Sequence, residues 1–195
     1  MTQEQIVQEE LKLGKKKSAK PMLWVSMISM VMFFAGLTSA YVISMKRDDW
    51  VSFDLPQAFY TSTFFIIASS ITLILSQFFL KKDKRQLSIL LLVITFILGS
   101  GFIWQQYVGF NQLKSVGLFF TGPESTVSTS FIIGITFMHI LHLLAGVIVL
   151  LVVIYNHFKY KYKSDNMLGF ELGAIFWHFV DILWIYLFFF FYFIK

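Results

Sequence analysis

The run Leu168 to Ile194, LGFELGAIFWHFVDILWIYLFFFFYFI, carries formal charge at only two positions, Glu171 and Asp181. At about 1.5 Å per residue, a helix of this length crosses the ~30 Å hydrocarbon core of a bilayer. Asp181 falls about halfway along it, where an aspartate costs roughly 2.5–3.5 kcal/mol on insertion scales. Such a residue is tolerable only if it faces protein or water. Glu171, Ala174, His178, Asp181 and Ile185 share one stripe at helical spacing, with Trp177 and Trp184 beside it. That face must turn inward, so the stretch is a membrane helix packed against others.

Four more apolar stretches precede it, at about 22–44, 58–80, 87–110 and 128–158. Residues 1–21 form a polar tail ending in Lys15, Lys16, Lys17 and Lys20. The apolar stretch behind that tail is too long for a cleavable leader, and no small-residue cleavage site follows. The fold class predicted is therefore all-α: one integral membrane bundle of five transmembrane helices, 22–195, with no internal domain boundary. Leu55-Pro56 and Gly122-Pro123 read as breaks before the second and fourth helices, and Ser125, Thr126 and Ser128 as candidate N-caps.

Charge position sets the expected orientation. Lys12, Lys15, Lys16, Lys17 and Lys20 in the tail, Lys81, Lys82, Lys84 and Arg85 in the second connection, and Lys159, Lys161 and Lys163 in the fourth fall on one side. These are twelve of the 16 basic residues. The positive-inside rule places the N-terminus in the cytoplasm and the C-terminus outside. The net charge of +5 is thus a topology signal with some attraction for anionic lipid, and nucleic acid is not an expected partner. With 57% apolar and 14% charged residues the chain departs from soluble composition. It has no Cys, which removes disulfides, thiolate metal sites and cysteine catalysis.

The few polar residues within the spans are the candidate functional set. His139 and His142, three apart on the fourth helix, share a face, and Gly146 one turn on admits a close neighbour. In an antiparallel pair they lie at the depth of His178 and Asp181, and a His–Asp hydrogen bond there would satisfy both groups. On that reading Asp181→Leu loosens the bundle. Three readings stand for these residues: an internal polar clasp, a lipid-headgroup or proton-transfer role, and metal or haem ligation. His157, beside Lys159, reads as interfacial. Gln105 and Gln106 are placed to hydrogen-bond across helices, Gly99 and Gly101 to allow close contact, and Ser69-Ser70 to bond back to their own backbone or pack as small residues. No phosphate loop, nucleophile triad or carboxylate–histidine metal motif is present.

Phe170-Glu171 followed by Trp177-His178-Phe179-Val180-Asp181 and Trp184 resembles the closing helix of cytochrome c oxidase subunit III, E-x-x-x-x-x-W-H-F-V-D-x-x-W. His139-Ile140-Leu141-His142 with Gly146 is similar to that family's H-G-x-H-x-x-x-G, and Leu98-Gly99, Phe102 and Gln106 to its L-G-x-x-F-x-x-x-Q. Val31-Met32-Phe33-Phe34 with Gly36 and Ala40-Tyr41, then Leu55-Pro56, Thr63 and Ser69-Ser70, follow in the family's order. The resemblance covers nearly everything after the tail, and its WHFVD run is the specific part.

The resemblance implies a multi-pass subunit of a haem–copper terminal oxidase in a bacterial cytoplasmic (inner) membrane, in a short five-helix form. It implies no catalytic, cofactor or metal residue in this chain. Haem and copper would sit in the catalytic subunit I, a direct partner, with subunit II in the complex, phospholipid bound, and a larger respiratory supercomplex open. Such a subunit stabilises the catalytic one and supports proton uptake and oxygen access. His139, His142, Glu171, Trp177, His178, Asp181, Trp184 and Gln106 are then clasp or lipid-contact candidates. Two departures stand out. Met30 occupies a position where many members carry a membrane-embedded glutamate, and Gly109 one where a glutamate commonly follows the glutamine. Ubiquinol oxidases and nitric oxide reductase-associated proteins share the bundle, so the electron donor stays open. A small b-type cytochrome using His139, His142 and His178, and a proton-conducting protein using Asp181, are the rivals.

Overall fold

The computed structural model describes residues 3–48, 50–51, 54–115, 117, 126–162 and 167–194. Five helices account for nearly all of them: α1 (Gln3–Ser44), α2 (Gln57–Lys81), α3 (Arg85–Ser115), α4 (Val127–Phe158) and α5 (Leu168–Phe193). Each contains a segment long and apolar enough to cross a membrane, and no strand occurs among the described residues. Five apolar spans are expected from the sequence, and five such helices are present. The tail, however, is part of α1, which runs through Pro21 without a break and measures ~63 Å at 1.5 Å per residue. Its apolar portion begins near Lys16.

Helix ends follow local chemistry. Thr126 caps α4 by accepting from Thr129 N at 3.3 Å, whereas Gly122, Pro123 and Ser125 lie outside the described residues. Pro56 precedes α2, and Gln112 Oε1 reaches from α3 to accept the free N–H of Ala58 at 3.3 Å. At the far end of α4 the Arg85 guanidinium donates to the carbonyls of His157 and Phe158 and lies 3.3 Å over the Tyr160 ring. It supplies donors and positive charge where a helix C-terminus lacks partners. His157 is enclosed there, 1% exposed beside Tyr162 and Phe170. The end of α4 expected at the interface is thus covered by protein at His157, with the Arg85 guanidinium donating to its carbonyl.

Helix α5 is the centre of the bundle: 56% of its span is buried, against 22–28% for the others. Its backbone runs close to α1, α2 and α4, and its tryptophans reach α3. Helices α2 and α3 form an extensive hairpin, and α3 also meets α4. Among the described helices α1 touches only α4 and α5, and it leaves a groove along α5. The core is aromatic, built on Phe34, Phe59, Phe102, Phe170, Trp177, Trp184 and Phe191. At the opposite end from Arg85, Tyr41 donates its hydroxyl to Ile194 O at 3.3 Å and meets Trp50, Phe131, Phe190 and Phe191 edge-on or tilted, tying down the end of α5.

Candidate functional site

The inward face of α5 meets α2 through three hydrogen bonds in register. Trp184 Nε1 donates to Thr63 Oγ1 at 3.0 Å, Trp177 Nε1 donates to Ser69 Oγ at 3.1 Å, and His178 Nδ1 shares a 2.7 Å hydrogen bond with Ser70 Oγ. Each acceptor hydroxyl is available for a reason. Thr63 donates its proton to Phe59 O at 2.8 Å and Ser69 donates to Ile66 O at 2.8 Å, which leaves their lone pairs for the indoles. The expectation that Ser69-Ser70 bonds to its own backbone or packs small is met only in part. Ser69 does bond back, and both serines also cross to α5. An indole N–H in hydrocarbon without an acceptor costs free energy, and α2 supplies one for each tryptophan.

Glycines set the distance at which these rings fit. A Cβ on Gly99 of α3 would lie 2.6 Å from Trp177 Cη2, and one on Gly146 of α4 would lie 3.4 Å from Trp177 Cε3. The Trp177 indole is therefore held between two glycines on opposite neighbours. Gly109 has an equally local cause: its Cβ would lie 2.6 Å from Phe59 Cε1, so the glutamate that the resemblance would place there has no room. Met30 is half-buried and packs on the apolar core.

The remaining polar candidates separate. His139 is fully buried among Phe34, Phe102 and Trp184, with ring centroids 6.5, 6.0 and 5.2 Å away, and among the described residues neither ring nitrogen has a hydrogen-bond partner. His142 turns its Nδ1 to Met138 O of its own helix at 2.7 Å. Asp181 is 2% exposed, and among the described residues no hydrogen bond closes on either of its carboxylate oxygens. Ser70 lies beside that carboxyl but is engaged with His178. The His–Asp hydrogen bond expected between the fourth and fifth helices is thus not made. Those helices pack instead through Gly146 against Phe176 and Trp177, and through Gly173, whose Cβ would lie 2.9 Å from Val153 Cγ2. Glu171 leaves the stripe to pair with Lys20 on α1 at 2.7 Å, a half-exposed ion pair of little energetic weight. Gln106 does cross helices, donating Nε2–H to Ser62 Oγ at 2.9 Å, while its Oε1 has no partner among the described residues. Among the described residues no three His, Asp or Glu side chains converge as a metal site would require.

The unpartnered carboxyl changes what Asp181 is expected to do. An isosteric Asp181→Asn removes no hydrogen bond to protein, so the unfolding free energy of the detergent-solubilised chain should change by less than about 1 kcal/mol. Reversible unfolding in mixed micelles measures this. A loss of about 3 kcal/mol or more, as for a broken buried pair, would contradict the geometry.

Comparison with known proteins bears on the whole chain. A family model described as cytochrome c oxidase subunit III matches residues 3–195. Curated relatives include cytochrome c oxidase subunit 3 of Pelomedusa subrufa, 30% identical over 126 residues that make up 65% of this chain and 46% of that protein. The subunit 3 of Pyricularia grisea is 37% identical over 81 residues, 42% of this chain and 30% of that protein. That of Oncorhynchus mykiss is 28% identical over 126 residues, again 65% and 46%. The matched stretch covers less than half the length of each relative. The family model spans nearly all of α1 to α5, including the α5 face that engages Thr63, Ser69 and Ser70, and so this chain belongs to the cytochrome c oxidase subunit III family.

Proposed function

We propose that the chain is a subunit III without redox centres in a haem–copper terminal oxidase of aerobic respiration. It would sit in a bacterial cytoplasmic membrane with its Lys-rich end inside. Its role there is to stabilise the catalytic subunit and to support proton uptake and oxygen access. The observation that carries this reading is the match of residues 3–195 to the family. The α2–α5 seam agrees with it, because the WHFVD residues pin helices together. Haem and copper belong to subunit I on this reading, with subunit II further out. In this chain His139 is enclosed by aromatic rings, His142 is turned to Met138 and His178 to Ser70. Their rings serve three different surroundings, which favours the subunit over a b-type cytochrome.

Positive-inside logic supports the orientation: Lys20, Lys82, Arg85 and Lys159 gather at one end of the bundle. Bound phospholipid also has a place. A groove of about 320 Å³ between α1 and α5 is lined by Val31, Phe34, Phe179, Ile182, Leu183 and Tyr186, an apolar wall suited to an acyl chain or dissolved oxygen.

Purification of the tagged chain from its native membrane under mild detergent tests the reading. Haem absorbance should accompany a larger co-purifying polypeptide and stay with that polypeptide when the two are separated. Recovery of the tagged chain with haem of its own, or without any haem-bearing partner, would overturn it.

A further inference from the structure

Three serine hydroxyls on exposed helix faces spend their protons on their own backbone. Ser26, Ser29 and Ser100 each donate to the carbonyl four residues back, Met22, Val25 and Phe96, at 3.0, 3.1 and 2.9 Å. His142 follows the same habit with one nitrogen only. It stands at the middle of α4, half-exposed, with Nδ1 on Met138 O. A carbonyl only accepts, so Nδ1 carries the proton and Nε2 presents a bare lone pair. Among the described residues Nε2 has no hydrogen bond. An imidazole can reach its own helix with one ring edge at a time, so the second edge faces outward beside Phe33 and Phe34 of α1, at 6.4 and 5.6 Å between centroids.

An acyl chain has nothing to donate to that lone pair, and a polar acceptor left in hydrocarbon is costly. Ala145, one turn along the same face, is exposed and small enough to let a helix backbone come close. We infer that the α4 face around His142, bordered by Met138, Ala145 and Phe33, is an interface. The structure fits it to a transmembrane helix of another polypeptide that presents a hydroxyl or amide N–H to His142 Nε2 at mid-membrane depth. This rests on the reading of the chain as an oxidase subunit, which makes the haem-bearing catalytic chain the partner.

The intact complex, in its native membrane, provides the test. A benzophenone side chain at Met138 should cross-link on irradiation to the haem-bearing chain, and the same probe at Phe64 on the outer face of α2 should label that chain far less. His142→Leu should lower the amount of co-purifying haem-bearing chain by roughly tenfold, as expected for one lost buried hydrogen bond. His142→Gln, whose Oε1 restores an acceptor, should recover most of it. The thermal midpoint of the isolated chain should be the same for all three versions. Cross-linking at Met138 only to lipid or to a second copy of this chain, equal loss in the Leu and Gln variants, or loss of the isolated chain's own stability would each overturn the inference. If the wild-type chain retains its haem-bearing partner in those cases, the subunit reading survives. If the wild-type chain has no such partner, the subunit reading falls as well.

Discussion

Trp177→Ala should destabilise the bundle by about 3–5 kcal/mol, in the range for truncating a large buried aromatic side chain. The indole is 1% exposed and packs on Gly99 of α3 and Gly146 of α4 while donating to Ser69 of α2. Its loss opens a cavity shared by four helices that the surrounding glycines have no side chains to fill. Trp177→Phe separates the two contributions: it keeps most of the apolar contact, removes the Nε1–H donor, and should cost clearly less. Reversible unfolding in mixed micelles measures both. If alanine at 177 cost less than about 1 kcal/mol, α5 would not be the centre on which the other helices are hung.

Much of this seam is legible in the sequence, though only half of it is obvious there. The tryptophans at 177 and 184 are seven residues apart, and their acceptors Ser69 and Thr63 are six apart. Two sets of polar groups at nearly the same spacing, on helices that alternate in direction, define one antiparallel register in which 63 meets 184 and 69 meets 177. An indole N–H inside a bilayer requires an acceptor, and that requirement points to α2 as the partner of α5. The pattern of histidines and Asp181 suggests α4 instead, because His and Asp are the more conspicuous hydrogen-bonding pair.

What the sequence leaves out is where a side chain turns. His139 and His142 share a helix face by spacing, yet a difference of three residues rotates one into the aromatic core and the other toward the outer surface. Glu171 falls on the stripe of Asp181 but lies within the first turn of α5, where Lys20 on the long α1 helix is within reach. The enclosure of His157 is equally hidden, since it depends on Arg85 arriving from α3. Helix existence is a local property of composition. Contact across helices depends on rotation and depth, which composition does not encode.

The same geometry gives Gly99→Leu the second large effect, a loss of roughly 3 kcal/mol or more, at the upper end for overpacking a core. Even the first added carbon of Gly99→Ala would lie 2.6 and 2.8 Å from Cη2 and Cζ2 of Trp177. The indole has no easy retreat: Ser69 holds its nitrogen and Gly146 borders its other edge. Alanine also gains about 1 kcal/mol of helix propensity over glycine, so Gly99→Ala should lose only about 1–2 kcal/mol net. Gly36 on α1 provides the contrast, because nothing lies within 4 Å of a Cβ built there and Gly36→Ala should be neutral or stabilising. The decisive measurement is the double variant. If the clash with the indole is the cause, Gly99→Ala combined with Trp177→Phe should recover at least about 1 kcal/mol relative to the sum of the two single changes. Strict additivity would place the cost of Gly99→Ala elsewhere in α3, and the indole would no longer be what keeps position 99 free of a side chain.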